Sequence, residues 1–243
     1  MQSVLGRGRL WLVLLAMFFI STVQGAEHHL SLVTAALPPL GPTAGEEGFL
    51  KRIAEEGFSR IGYQVDVTVL PGERALINAN DGIDDGDIYR APGFEAAYPN
   101  LVQVPESIGV MEFMAYSKDL DIPNINWNSL NNYVVAYATG WKIYDRMVHA
   151  REVTKVRSIN ELFPLLEMGR ADLVLMDRWQ GRYLARQQGV EAKLQEPALA
   201  RVDMYMYLNK RHADLIPKLV AALKAMKKDG SYQRIFDATL KHY

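Results

Sequence analysis

Arg90 stands at the end of a β-rich run, Asp87 to Ala91, just before Pro92. In open α/β folds ligands sit beyond the carboxyl ends of strands, and a guanidinium there can hold a carboxylate through two parallel N–H bonds. The same side chain paired with Asp84, Asp85 or Asp87 is local structure, and both readings stay open. Thr139-Gly140 falls at a strand-to-helix turn, where free N–H groups and the helix dipole favour an anion. Arg74 lies in the first turn of a helix, a poor place for a cation on dipole grounds. It therefore implies a partner: the ligand, or Glu73 or Asp87. Trp141 and Trp179 follow two turns in the second half of the chain and offer either a stacking face or a core aromatic. Asp177 closes the apolar run Ala171 to Met176 and precedes a helix, the place of an N-cap.

Other chemistries are excluded. The 243 residues contain no cysteine, so thiolate catalysis, Cys-ligated zinc and lipid attachment at a cysteine are ruled out. The five histidines form no H-x-x-x-H pair, and a metal site is not expected. No nucleophile elbow or phosphate loop is present. Residues 1–25 read as a cleavable signal peptide: Arg7 and Arg9, an apolar run from Leu10 to Ile20 too short for a bilayer, then small residues before Ala26. Arg7 and Arg9 are its only charges, so the remainder carries 25 basic and 28 acidic residues, a formal charge of −3. That is no footprint for nucleic acid or an anionic membrane.

Short β-rich runs alternate with helical stretches, the pattern of parallel sheets with crossover helices. Strands are expected at Leu30 to Ala36, Val65 to Leu70 and Asp87 to Ala91, with helices between, as one βαβαβ unit. The second half repeats the order. It has a strand at Tyr133 to Tyr137, a helix from Lys142 to about Ala150, a capping box at Ser158 to Glu161 opening a helix to Met168, the Ala171 strand, and a helix from Arg178 to Gln188. Val110 to Ser117 and Met204 to Leu208 read as extended crossing segments. The final helices, around Leu215 to Met226 and from Ser231, return to the first lobe. The expected fold is an α/β two-lobed clamshell, each lobe a mainly parallel sheet with flanking helices, joined by two hinge strands. Its boundaries are 26–110 with 207–243 for lobe one and 111–206 for lobe two.

Taken in order, Pro38-Pro39, Ile61-Gly62-Tyr63-Gln64-Val65, Pro71-Gly72-Glu73-Arg74-Ala75-Leu76, Asp85-Gly86-Asp87, Tyr98 to Glu106, and Gly169-Arg170-Ala171-Asp172 leading to Asp177 resemble the type II periplasmic solute-binding proteins. The likeness is to the branch typified by amino-acid-binding components of ABC transporters, and it spans the mature chain. It implies that Asp177 receives a ligand ammonium and that Arg74 faces the ligand. Leu40 occupies the place where the family often carries an aromatic, and the arginine of a Thr-x-x-Arg clamp is absent from Pro92 to Ala97. The function implied is capture of a small carboxylate-bearing solute by a periplasmic monomer, without a cofactor, for a membrane permease. The alternatives are a sensor for a membrane receptor or a lyase on the same scaffold.

Overall fold

The structure is a computed structural model that describes residues 28–35, 37–42 and 47–243; the expected leader lies outside them. Among the described residues no helix is long and apolar enough to cross a membrane.

The first unit runs β1 (His28–Ala35), α1 (Gly48–Ser59), β2 (Tyr63–Leu70), α2 (Gly72–Asp81) and β3 (Gly86–Arg90). Both neighbours of β1 run parallel to it, giving the order β2-β1-β3. Helix α1 forms because Phe49, Leu50, Ile53, Ala54 and Phe58 recur on one face, which is fully buried. Helix α2 begins directly after Pro71 and stops at Gly82, which adopts a left-handed φ of 75°.

Two strands follow, β4 (Leu101–Gln103) and β5 (Gly109–Ser117), and then a second unit of the same plan. It comprises β6 (Val134–Ala138), α3 (Lys142–Met147), β7 (Glu152–Val156), α4 (Leu162–Glu167) and β8 (Leu173–Asp177), in the order β7-β6-β8. After it come α5 (Arg178–Gln188), β9 (Lys193–Asn209), α6 (Ile216–Lys228) and α7 (Ser231–Thr239). The last two helices pack on α1: Gly57 approaches Leu219 and Leu223, and Phe49 meets Tyr232 and Phe236 edge-on.

The two units close with the same device. Each second helix ends at a left-handed glycine, Gly82 or Gly169, and three residues later an aspartate accepts a backbone amide from the central strand of its own unit. Asp85 accepts the Ser31 N–H at 2.7 Å and Asp172 accepts the Val134 N–H at 2.8 Å. Val134 is the first residue of β6, and Ser31 lies one residue before β1 begins to pair with β3; at both places the carboxylate supplies an acceptor that the ladder does not.

Three expectations are corrected. Strand β7 was not anticipated: it is an edge strand, four of whose five residues lie at least partly open to solvent, so it lacks the apolar run that announces a buried strand. Helix α3 stops at Met147, short of Ala150, because Val148 turns to an extended conformation. The segment expected at Met204 to Leu208 is the end of a 17-residue strand. Pro197 masked its first part, and the structure shows why proline is tolerated there: the β5–β9 register shifts between Phe113 and Ala115, so Pro197 falls where the ladder is interrupted.

Strand β9 joins the halves. Its N-terminal part runs antiparallel along β5, its C-terminal part along β3 and β4, and β5 in turn pairs with β8. The path β2-β1-β3-β9-β5-β8-β6-β7 is therefore continuous, and the expected lobe boundaries fall within β5 and β9, the crossing strands.

Candidate functional site

On the crossing ladder Val110 pairs with Asp203 and Glu112 with Arg201, and these four side chains share one face. A cavity of about 470 Å³ opens above them. Leu40, Phe49 and Tyr89 come to it from the first unit, Trp179 from the start of α5, and Tyr232 and Phe236 from α7. Trp179 and Phe236 meet edge-to-face at 5.4 Å, so the second unit touches the C-terminal helix across the cavity.

Tyr89 owes its position to the backbone. It is the penultimate residue of β3 yet has φ of 74°, in the left-handed region, where the β3–β9 register is also broken. Strain of this kind costs about 1–3 kcal/mol for a non-glycine residue and persists only where the surroundings impose it. A Cβ on Gly109 would lie 3.1 Å from the Tyr89 ring, so the hinge glycine leaves room for it. The ring is 3 % exposed, and its hydroxyl has no hydrogen-bond partner among the described residues. Burial, with the charge of Asp177 adding to it, pushes the phenol well above its usual range.

The charged groups of the site are mostly spent on one another. Glu112 is held between Arg178 and Arg201, and Arg178 also reaches both oxygens of Glu196, at 2.8 and 3.2 Å. Lys227 pairs with Glu106 at 2.6 Å and donates to the Ser107 carbonyl.

The expected site residues divide. Leu40 and Trp179 line the cavity. Arg90 does not: its guanidinium is bound to the buried Asp87 at 2.7 Å and to the Gly72 carbonyl at 2.9 Å, tying the end of β3 to the start of α2. The local pairing with Asp87 that the sequence offered for Arg90 is present. Asp177 is completely buried and caps α5, accepting from Trp179 N at 2.9 Å and Gln180 N at 3.2 Å through one oxygen and from Glu112 N at 3.3 Å through the other. Thr139 and Gly140 are exposed at the β6–α3 turn, outside the cavity. Trp141 packs edge-on to Phe113, a core role. Arg74 is exposed in the first turn of α2 and pairs with neither Glu73 nor Asp87. Tyr89, Arg201, Asp203, Tyr232 and Phe236 were missed because they come from three elements, β3, β9 and α7, separated by long stretches of sequence. No spacing rule brings them together.

Two buried aspartates carry a pH dependence. Burial pushes Asp87 up to about 6 despite Arg90, and Asp177 up to about 6 despite its three N–H donors. A carboxylate whose folded pKa exceeds its unfolded value near 3.8 binds more protons when folded. Its stabilisation is complete below that value and is lost as pH rises through about 6. The melting temperature is therefore expected to fall between about pH 5 and pH 7.5. Asp87→Asn, which also gives the partnerless Oδ1 position a donor, should flatten that slope in a calorimetric pH series.

Fold and site together define the class: two similar α/β halves on a shared hinge ladder, with a solute-sized cavity between them, make a type II periplasmic solute-binding fold. No protein-family model matches the chain. A relative from Shewanella oneidensis, described only as an uncharacterised protein, is 23% identical over 202 residues, covering 75% of this chain and 72% of that one. Among solved structures the GluR0 ligand-binding core from Nostoc punctiforme, in complex with L-glutamate, is 20% identical with a TM-score of 0.67 over 86% of this chain and 98% of that one. A histidine kinase sensor domain with similarity to periplasmic binding proteins has a TM-score of 0.69 at 14% identity, over 88% and 97%. The ancestral amino-acid-binding protein AncCDT-1, a precursor of cyclohexadienyl dehydratase, has 0.67 at 17%, over 87% and 95%. At these identities the likeness is one of fold.

Proposed function

We propose that this chain reversibly captures a small organic solute, an amino acid or a compound of similar size, in the cavity between its halves and presents the closed form to a membrane permease or receptor. One observation carries this reading: the cavity wall is built jointly, with Tyr89 from one half and Trp179 from the other, on the two strands that cross between them. A site assembled that way is complete only when the halves approach, which couples binding to closure. With a leader expected at 1–25, the working compartment is the periplasm, where a freely diffusing binder needs a membrane partner to complete its task.

Catalysis would need an acid or base free to exchange a proton with the solute. Asp177 has both oxygens committed to backbone amides, and Glu112 lies between two arginines, so the site is better suited to recognition than to turnover.

A thermal-shift screen of amino acids, hydroxy acids, dicarboxylates and short peptides tests the proposal. A ligand at a hundred times its dissociation constant stabilises the folded state by about 2.7 kcal/mol. Trp179→Ala, which removes an aromatic wall, should weaken the strongest hit roughly tenfold or more. A melt that no small solute moves would sink the reading.

A further inference from the structure

Among the described residues the two cations that line the cavity, Arg201 and Lys227, are each paired with a carboxylate, and one lining carboxylate is not. Arg178 and Arg201 share Glu112, Arg178 also holds Glu196, and Lys227 holds Glu106. Asp203, beside them on β9, is exposed and makes no ion pair or hydrogen bond among the described residues. Arg90, the neighbour of Tyr89 in sequence, is paired with Asp87. Of the charged side chains that line the cavity, Asp203 alone has no counter-ion among the described residues.

The rest of the wall suits the same sign. Tyr89, Trp179 and Tyr232 bring π-systems to the cavity, and aromatic faces attract cations that have been stripped of water. Two of these rings already have a protein cation beside them: Arg182 stands 5.6 Å from the centre of Trp179, and Lys227 5.8 Å from that of Tyr232. The Tyr89 hydroxyl, without a protein partner, is left to bond the ligand.

We propose that the group this cavity selects is a cation: the ligand is an organic ammonium with an apolar body, its charge paired with Asp203 and its body against Tyr89 and Trp179, and it needs no carboxylate. This rests on the capture reading and narrows its substrate class. An α-amino acid then binds through its ammonium, with a carboxylate that contributes little, because among the described residues no unpaired guanidinium lines the cavity to receive it.

Titration calorimetry on the purified chain with phenethylamine, L-phenylalanine and phenylacetate, three probes of similar body and different charge, decides the matter. The amine is expected to bind at least tenfold more tightly than phenylacetate. Asp203→Asn should weaken the amine about tenfold without altering the weak response to phenylacetate. Because Asp203 is exposed and partnerless, this variant should melt like the wild type, which separates lost binding from lost folding. Phenylacetate binding more tightly than the amine, or an Asp203→Asn affinity unchanged for the amine, overturns the cation assignment and leaves capture standing. If none of the three probes binds, and the wider solute screen is equally silent, both readings fall together.

Discussion

Gly181→Ala is expected to lower the unfolding free energy by about 2 kcal/mol and the melting temperature by about 4–8 °C, although alanine is the better helix former by about 1 kcal/mol. Gly181 closes the first turn of α5, directly over the ring of Tyr116, and a methyl group there would overlap the phenol. The ring has nowhere to go: Tyr116 is 2 % exposed, meets Phe163 edge-on at 5.8 Å, and donates its hydroxyl to the Arg178 carbonyl at 2.7 Å. Relief requires α5 to lift from the sheet, and because Trp179 sits on the same turn, the cavity wall should shift with it. Thermal unfolding of G181A against wild type checks the cost. A variant as stable as wild type would mean that α5 is not held at the distance described.

Asp177→Ala is expected to cost about 3 kcal/mol, combining the loss of an N-cap with an unsatisfied buried amide at Glu112. Asp177→Asn keeps one acceptor for the Trp179 and Gln180 amides and should cost about 1 kcal/mol. The two differ from wild type in pH dependence as well. Wild-type Asp177 gains stability on protonation, in the window between its unfolded value of 3.8 and its folded value of about 6, so stability falls as pH rises through that window. Asparagine does not titrate. The gap between wild type and Asp177→Asn should therefore be wider near pH 5 than near pH 7.5, as read from denaturant midpoints at the two pH values. A gap that is constant with pH would show that burial does not hold this carboxyl up.

Much of the architecture was legible because it depends on local chemistry. The α1 face from Phe49 to Phe58 and the stop of α5 at Gly189 follow from periodicity and from glycine's access to left-handed φ. The capping box at Ser158 and Glu161 was legible from spacing alone, and both of its reciprocal hydrogen bonds are present. Strand β7 and the first half of β9 were not legible. One is an exposed edge, and the other contains a proline that only a register shift with β5 accommodates.

The site was legible only in fragments. Sequence placed Leu40 and Trp179 at loop and helix starts that open toward the cavity, and it offered both fates for Arg90. The pairing seen follows from the depth of Asp87: a carboxylate 1 % exposed is costly to bury without a partner, and Arg90 supplies one. The sequence by itself determined the alternation of the two α/β units, most of their helix ends, strand β5 and the last part of β9, because those follow from neighbours within a few positions. Only the tertiary structure decided which charges are spent and which is free. Glu112 meets Arg201 across 89 residues of chain, Tyr89 and Trp179 line one cavity from opposite halves, and the pairing that leaves Asp203 alone exists only once β5 and β9 are joined.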